Sequence, residues 1–248
     1  MPDSKALIGL GADGQPVTVD WDTESPHVLV CSASGGGTST ILRTLAAQLL
    51  HHGAHTVVLD PKRISQTWAS GIDSVTYCRD IETIHDALVD LRAELHRRIA
   101  HIDQHGDCDD LPRLTVLLEV AHHTLRQLTR YWKVRQANDP KASPAVEAFH
   151  ELLLASRAAR MHVLFGGQLD TTPLGAMVCE QFSTVVLGRV TTRTWGRLAP
   201  QIRPAPKGST RPGRVHVVQG ATAHPMQVLL MTDTEAADWA AATAAEKI

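Results

Sequence analysis

The feature that most constrains the fold is a run of three glycines at 35–37, between an apolar segment and a helical pattern. The segment HVLVC (27–31) is short and apolar, as buried parallel strands are. The glycines allow a sharp turn with open N–H groups, and the N-terminus of the following helix favours an anion. The sequence therefore predicts a phosphate-binding loop. Its expected phosphate-holding residues are Ser34, Gly35, Gly36, Gly37, Thr38, Ser39 and Thr40.

This loop departs from the pattern G-x-x-x-x-G-K-[ST] at two positions. Gly37 supplies the second glycine and Ser39 the hydroxyl that would face a magnesium ion. Ser32 stands in place of the first glycine, and Thr38 stands in place of the lysine. The backbone cradle is thus present without its cation.

A dinucleotide-binding βαβ unit is an alternative interpretation, because the strand TVVLD ends in Asp60. Against it, the third glycine of G-x-G-x-x-G falls on another residue in either register, and no Tyr-x-x-x-Lys pair follows. A dehydrogenase therefore ranks third among the candidate functions, and stabilisation by NAD rather than ATP would identify it.

Alternating strand and helix patterns predict one α/β domain around a mainly parallel sheet. The chain has 248 residues, enough for one sizeable core. We predict a β-hairpin over 1–26, a closing hairpin from the runs at 215–220 and 226–231, and irregular structure over 122–142. Ser143 is the expected N-cap of a helix that has Pro144 in its first turn. Further strands are predicted at 27–31, 56–60, 114–118, 161–167 and 183–190, and further helices at 38–52 and 81–101.

Composition indicates a cytoplasmic protein. No apolar stretch of about 18 residues and no signal-peptide pattern occurs. The four cysteines lack CxxC spacing, as is usual for reduced thiols. His101 and His105, with Cys108 nearby, have a spacing that could suit zinc, but surface histidines are the favoured interpretation.

Six segments, taken in order, carry a resemblance to a known family. They are Ile8-Gly9 with Gly14 to Val17, the stretch 26–39, VVLDPK at 57–62, Pro112 to Val120, Arg157 to Gln168, and Gly213, Arg214, Gln227, Asp233 and Glu235. Together they resemble the FtsK/SpoIIIE family of DNA translocases, particularly the actinobacterial plasmid and integrative-element transfer proteins. The resemblance covers nearly the whole chain. It implies a RecA-like P-loop NTPase fold, with residues 1–26 as an N-terminal hairpin and 27–248 as the motor-like domain.

The resemblance assigns ATP and Mg²⁺ as cofactors, with Ser39 and Glu119 on the metal side. It also implies catalytic roles for Glu119 and for Gln168, the family's phosphate-sensing glutamine. Val120 replaces the family's catalytic glutamate, and Leu169 replaces an arginine. The chain thus resembles an ATP-dependent DNA translocase with degenerate Walker motifs, and whether it is an enzyme stays open.

Rescue of the lost groups from other positions is a further alternative. Lys62 or Arg43 could supply the cation, and His122 or His123 could act as the base. Without such a rescue, the losses predict ATPase activity that is weak or absent.

A basic segment lies near the C-terminus: residues 181–232 contain seven Arg or Lys and no Asp or Glu. Such a surface suits the phosphate backbone of DNA, or it is a solvated face or a subunit contact. The resemblance suggests that Arg197 faces the nucleotide of a neighbouring subunit. The predicted DNA or subunit contacts are Arg193, Arg197, Arg203, Lys207, Arg211 and Arg214.

The favoured function is nucleotide binding in DNA translocation or conjugative transfer. The alternative is a non-catalytic adaptor or ring subunit, a pseudo-ATPase that binds DNA or a protein partner. Expected partners are DNA, further copies of the chain in a homo-oligomer, or an active FtsK-like protein, with no membrane segment.

Overall fold

The computed structural model describes residues 2–136, 142–168, 174 and 176–245. They form one ten-stranded sheet flanked by helices. The strands are β1 (Lys5–Gly11), β2 (Pro16–Asp20), β3 (His27–Cys31), β4 (His55–Leu59), β5 (Val75–Cys78), β6 (Leu114–Leu118), β7 (Met161–Gly166), β8 (Thr184–Leu187), β9 (Arg214–Gln219) and β10 (Thr222–Val228). The helices are α1 (Thr38–His51), α2 (Ile81–His105), α3 (Ala121–Arg135), α4 (Pro144–Ala155), α5 (Thr192–Leu198) and α6 (Asp233–Ala245).

The sheet has a parallel half and an antiparallel half, in the order β2-β1-β10-β9-β8-β3-β7-β6-β4-β5. The six strands from β8 to β5 are parallel. The other four are antiparallel to their neighbours. This confirms the predicted α/β fold with an N-terminal hairpin. The hairpin continues the same sheet through the pairing of β1 with β10, and the domain boundary at residue 26 stays a prediction.

Helices cover both faces of the sheet, and β3 shows why its sequence is apolar throughout. Val28 and Val30 pack in the core beneath α1 and α6. Leu29 and Cys31 pack in the core beneath α2, α3 and α4. Since successive side chains of a strand point to opposite faces, a strand covered on both sides must be apolar at every position.

The prediction of irregular structure over 122–142 is wrong for most of that stretch. Residues 121–135 form α3, and its buried side chains are Ala121, Thr124, Leu125 and Leu128. Their spacing of three, four and seven residues is that of a helix face. The pattern is sparse because polar residues fill most of the remaining positions of the helix. Residues 137–141 lie outside the described residues.

Smaller differences occur at element boundaries. Helix α2 extends to His105 rather than residue 101, and β5, α5 and α6 were not predicted. The closing hairpin is present, but its second strand is Thr222–Val228. Ser143 occupies the N-cap position of α4 as predicted, yet its side chain makes no capping hydrogen bond. In the described parts of the chain, no helix combines the length and apolar character that a bilayer span requires.

Candidate nucleotide site

The glycine loop joins β3 to α1 at the carboxyl end of the parallel strands, where open α/β sheets bind ligands. Gly35 and Gly37 have φ of 73° and 93°, a left-handed conformation that glycine adopts without strain. Gly37 is the N-cap of α1, and no side chain caps the helix there. The first N–H groups of α1 are thus available to an anion.

Ser32 fits into the loop because glycines lie opposite it. A Cβ atom on Gly36 would come within 1.6 Å of Ser32 Oγ, and one on Gly188 within 2.3 Å. Ser32 Oγ is buried and makes no hydrogen bond within the described residues. Ser32 stands at the first glycine position of the P-loop pattern, and its hydroxyl occupies the space that Gly36 and Gly188 leave open.

A cavity of about 550 Å³ lies over this loop. Its walls are loop residues 32–40, with Lys62, Glu119, Val120, Gly166 and Gly167 opposite. The structure thus brings the seven predicted phosphate-holding residues together with Glu119. Thr38 lines the cavity without a charge, and its methyl group lies 3.4 Å from the position of a Cβ on Gly166.

Glu119 contacts three other polar side chains at this cavity, Ser39, Gln66 and Lys62. Its side chain is 6% exposed, and Ser39 Oγ donates a 2.6 Å hydrogen bond to Oε1. Gln66 Nε2 donates a 2.7 Å hydrogen bond to Oε2. Lys62 Nζ lies 3.7 Å from Oε1 and its side chain is 45% exposed. Ser39 and Glu119 both line the cavity, and their role as magnesium ligands stays a prediction.

Asp60 positions Gln66 from the end of β4. Oδ2 of this fully buried carboxylate accepts hydrogen bonds from the N–H groups of Ser65 and Gln66 at 2.9 and 3.0 Å. Tyr77 donates its hydroxyl to the same oxygen at 2.7 Å, and burial together with this carboxylate raises the pKa of Tyr77. Sequence reasoning missed Gln66. Its only signal was its position six residues after the strand-end aspartate.

Val120, which follows Glu119 at the end of β6, has an unusual backbone conformation. Its φ of 54° and ψ of 38° are left-handed, and it is the N-cap of α3. A β-branched residue rarely adopts this conformation. The isopropyl group lines the cavity and offers no proton acceptor.

Gln168 lies at the edge of the site rather than inside it. It follows Gly167 after β7 and is exposed, and it is not among the residues that line the cavity. The proposed sensor role of Gln168 stays a prediction, and Leu169 lies outside the described residues.

The basic segment divides into residues near the loop and residues away from it. Arg211 and Arg214 line a second, smaller cavity together with Gly35 and Gly36. Arg193 and Arg197 are exposed on α5, and Arg203 is exposed in the loop that follows. Lys207 lines a separate cavity of about 210 Å³ beside Trp195. A role in DNA or subunit contact stays a prediction for all six.

Of the candidate replacement groups, only Lys62 faces the cavity. Arg43 is turned toward the start of α6, where it donates to Met231 O and pairs with Asp233. His122 and His123 begin α3, and neither lines the cavity.

The residues considered for zinc binding, His101, His105 and Cys108, make contacts with other residues instead. His101 stacks on His105 and lies 3.2 Å from Asp110, while Cys108 Sγ donates to Ala158 O. Within the described ranges, no group of three or more histidine, cysteine or acidic side chains is arranged to hold a metal ion.

The sequence of the chain matches the model of one known protein family over part of its length. The model of the FtsK/SpoIIIE family matches residues 2–112, slightly less than half of the chain. The match includes the hairpin, the glycine loop and Asp60 and ends before Glu119. The comparison with curated proteins found no match.

Several solved structures share the fold. The conjugation coupling protein TcpA of pCW3, determined with ATPγS, has a TM-score of 0.75 at 18% identity, over 94% of this chain and 68% of that one. The cytoplasmic domain of the type VII secretion ATPase EccC of Thermomonospora curvata has a TM-score of 0.73 at 19% identity. The match covers 98% of this chain and 31% of the EccC chain. VirB4 of Thermoanaerobacter pseudethanolicus has a TM-score of 0.59 at 9% identity, and the match covers 93% of this chain and 98% of the VirB4 chain.

At these identities the likeness establishes the fold alone, a RecA-like P-loop arrangement, and the dinucleotide-binding alternative is thereby set aside. The chain spans less than half of the EccC chain and also of an EssC chain, of which it covers 44%. The FtsK/SpoIIIE likeness of the chain thus rests on the family match over residues 2–112, which contains the glycine loop, and on the fold shared with these solved structures.

Proposed function

We propose that this domain binds ATP with Mg²⁺ in DNA translocation or transfer, with ATPase activity that is weak or absent. The observation that carries the proposal is the 2.6 Å hydrogen bond between Ser39 Oγ and Glu119 Oε1 at the mouth of the glycine loop. This contact supports the proposal because it joins two oxygen-bearing side chains, 80 residues apart in sequence, beside the glycine loop.

The residues present fit the nucleotide. The N–H groups of the loop and of the first turn of α1 would hold the phosphates, and Ser39 and Glu119 would hold the metal ion. Bound Mg²⁺ supplies positive charge to the phosphate oxygens. Gln66 and Asp60 keep the Glu119 carboxylate in place through the hydrogen bonds described above.

Two substitutions argue for slow hydrolysis. A charge-assisted contact of the kind a P-loop lysine makes contributes about 1.5–3 kcal/mol, so Thr38 weakens binding or transition-state stabilisation by about 10- to 100-fold. A positioned general base contributes roughly 10²- to 10⁴-fold, and Val120 cannot act as one. Lys62 remains as a cation on the opposite wall of the cavity.

DNA is the proposed partner in translocation. The acid-free segment 181–232 supplies the positive surface, and TcpA, with which the chain shares its fold, is a conjugation coupling protein. Ring formation with further copies, or with an active FtsK-like protein, is part of the same proposal.

A second candidate function is a pseudo-ATPase adaptor that no longer uses nucleotide. The observation in its favour is that Thr38 and Val120 stand where the P-loop lysine and the base are expected, while the fold is intact. In that case the basic segment would contact a protein partner or DNA directly.

The first prediction separates these functions by thermal unfolding with Mg-ATP, with Mg-ADP and without ligand. At a ligand concentration of about 100 times Kd, binding adds about 2.7 kcal/mol, which raises Tm by about 5–10 °C. Ser39→Ala should lose this rise because the metal ligand is removed. Phosphate release should stay near background for the wild type, with or without duplex DNA.

The gain-of-function control is the double variant Thr38→Lys with Val120→Glu. It restores the cation and the base and should raise phosphate release by at least about 100-fold. An unchanged wild-type Tm with both nucleotides would contradict nucleotide binding and favour the adaptor. Rapid wild-type turnover would contradict the loss of ATPase activity.

A further inference from the structure

A small cavity of about 40 Å³ lies on the flank of the glycine loop, beside the nucleotide cavity. Gly35 and Gly36 form one wall, and Arg189, Arg211 and Arg214 line the other side. Three arginines therefore line a cavity that borders the glycine loop.

Arg189 is attached to the loop through both its main chain and its side chain. Its Nη2 donates a 3.2 Å hydrogen bond to Ser34 O, and its carbonyl oxygen accepts from Ala33 N at 3.0 Å. The residue lies two positions after β8, and β8 pairs directly with β3. Its position relative to the loop is thus set by the sheet.

Arg211 and Arg214 reach the same place from the next strand. Arg214 begins β9, which runs antiparallel to β8, so its start lies at the edge where β8 ends. Arg214 N donates to Arg211 O at 3.2 Å across a turn that contains Gly213, whose φ is 71°. The turn brings both residues to the cavity beside the loop.

No carboxylate among the residues that the structure describes balances the charge of this cluster. Within the described ranges, none of the three arginines forms an ion pair with a carboxylate. Three positive charges held together without acids repel one another, and a bound polyanion would relieve that repulsion. The N-terminus of α1 by itself supplies only about half a charge.

We propose that Arg189, Arg211 and Arg214 form a polyphosphate subsite that replaces the missing P-loop lysine from the opposite flank of the loop. The inference rests on the proposed function and names the residues that neutralise the phosphate chain of a nucleoside triphosphate. Guanidinium groups suit this role because they donate two hydrogen bonds in a plane to phosphate oxygens.

The test measures the affinity of ATPγS by calorimetry for the wild type and for Arg189→Gln, Arg211→Gln and Arg214→Gln. Each substitution should raise Kd by about 10-fold, since a charge-assisted hydrogen bond is lost. The matched control is Arg126→Gln, the same charge change on exposed α3 surface, which should leave Kd within about two-fold. An unchanged Tm without ligand shows that a variant is folded. If Arg189→Gln is unstable, Arg211→Gln provides the test instead, because Arg211 is exposed.

A rescue variant distinguishes replacement of the lysine from a general charge effect. Adding Thr38→Lys to Arg211→Gln should recover most of the lost affinity. If the wild type binds ATPγS and the three variants bind equally well, the arginine subsite is wrong and the proposed function stands. If the wild type binds neither ATPγS nor inorganic tripolyphosphate, both are overturned.

Discussion

At the scale of single residues, Val120 is the clearest source of strain in the site. A β-branched residue in the left-handed region costs on the order of 1–2 kcal/mol relative to the right-handed one, whereas asparagine tolerates it well. Val120→Asn should therefore stabilise the protein by about 1 kcal/mol, raising Tm by about 2–4 °C in thermal unfolding.

The same exchange at Val134 is the matched control. Val134 lies in α3 with 84% exposure, where valine and asparagine have similar helix propensities. Val134→Asn should leave Tm nearly unchanged. A Val120→Asn protein no more stable than Val134→Asn would show that surrounding contacts, rather than strain, decide this position.

At this scale, the sequence showed the departures from the P-loop pattern more clearly than it showed the residues that make new contacts around the loop. Thr38 and Val120 were visible because they fall at fixed positions of a pattern. Gln66 was not, since nothing local marks a glutamine that will donate to Glu119, 53 residues further along. The same holds for Arg189, which was noted only as part of a basic segment.

At the scale of elements, two buried histidines join the strands at the edge opposite the nucleotide cavity. Burial lowers the pKa of His27 to about 4. Burial, and then nearby Arg113, lowers the pKa of His162 to about 3. His27 accepts a hydrogen bond from Val163 N, and His162 lies 3.1 Å from Arg113 Nη1. Both rings are therefore neutral in the folded protein at neutral pH.

These pKa values predict acid sensitivity. The unfolded chain protonates both histidines near pH 6.5 and the folded chain does not, so their stabilising contribution is complete above pH 6.5. It is lost as the pH falls toward 4, by about 1.4 kcal/mol per pH unit for each histidine. Urea unfolding measured between pH 7 and pH 4.5 checks this slope.

His162→Gln should remove about half of the slope over that range. His224→Gln, on the exposed surface of β10, should not change it. An equal slope in wild type and His162→Gln would mean that other groups control the acid sensitivity.

Helix α3 shows why one element escaped prediction. Its four buried residues include only three that are apolar, so the hydrophobic period is present but weak. Packing against α2 and α4, rather than propensity, supplies most of the stability of such a helix.

At the scale of the whole molecule, the acid-free segment predicts salt-dependent DNA binding. Each phosphate contact contributes about 0.9 to the slope of log affinity against log salt. Arg193→Gln with Arg197→Gln should lower that slope by about 2 in a fluorescence anisotropy assay with duplex DNA. Arg126→Gln with Arg97→Gln, outside the segment, is the control and should leave the slope unchanged.

If both double variants behave like the wild type, α5 does not contact DNA. Sedimentation of the same variants then tests the other role predicted for this surface. A shift toward smaller species in the α5 variant alone would assign the arginines to a subunit contact.

The sequence by itself determined the local features of this protein: the glycine loop, the helix after it and the strands buried on both faces. These follow from patterns a few residues long, since backbone freedom and side-chain periodicity are local properties. Tertiary structure decided which groups serve the loop. Ser39 donates a hydrogen bond to Glu119, and Arg189, Arg211 and Arg214 line one cavity, because strands distant in sequence pair in a particular order. That order depends on packing across the whole sheet, which no short pattern encodes.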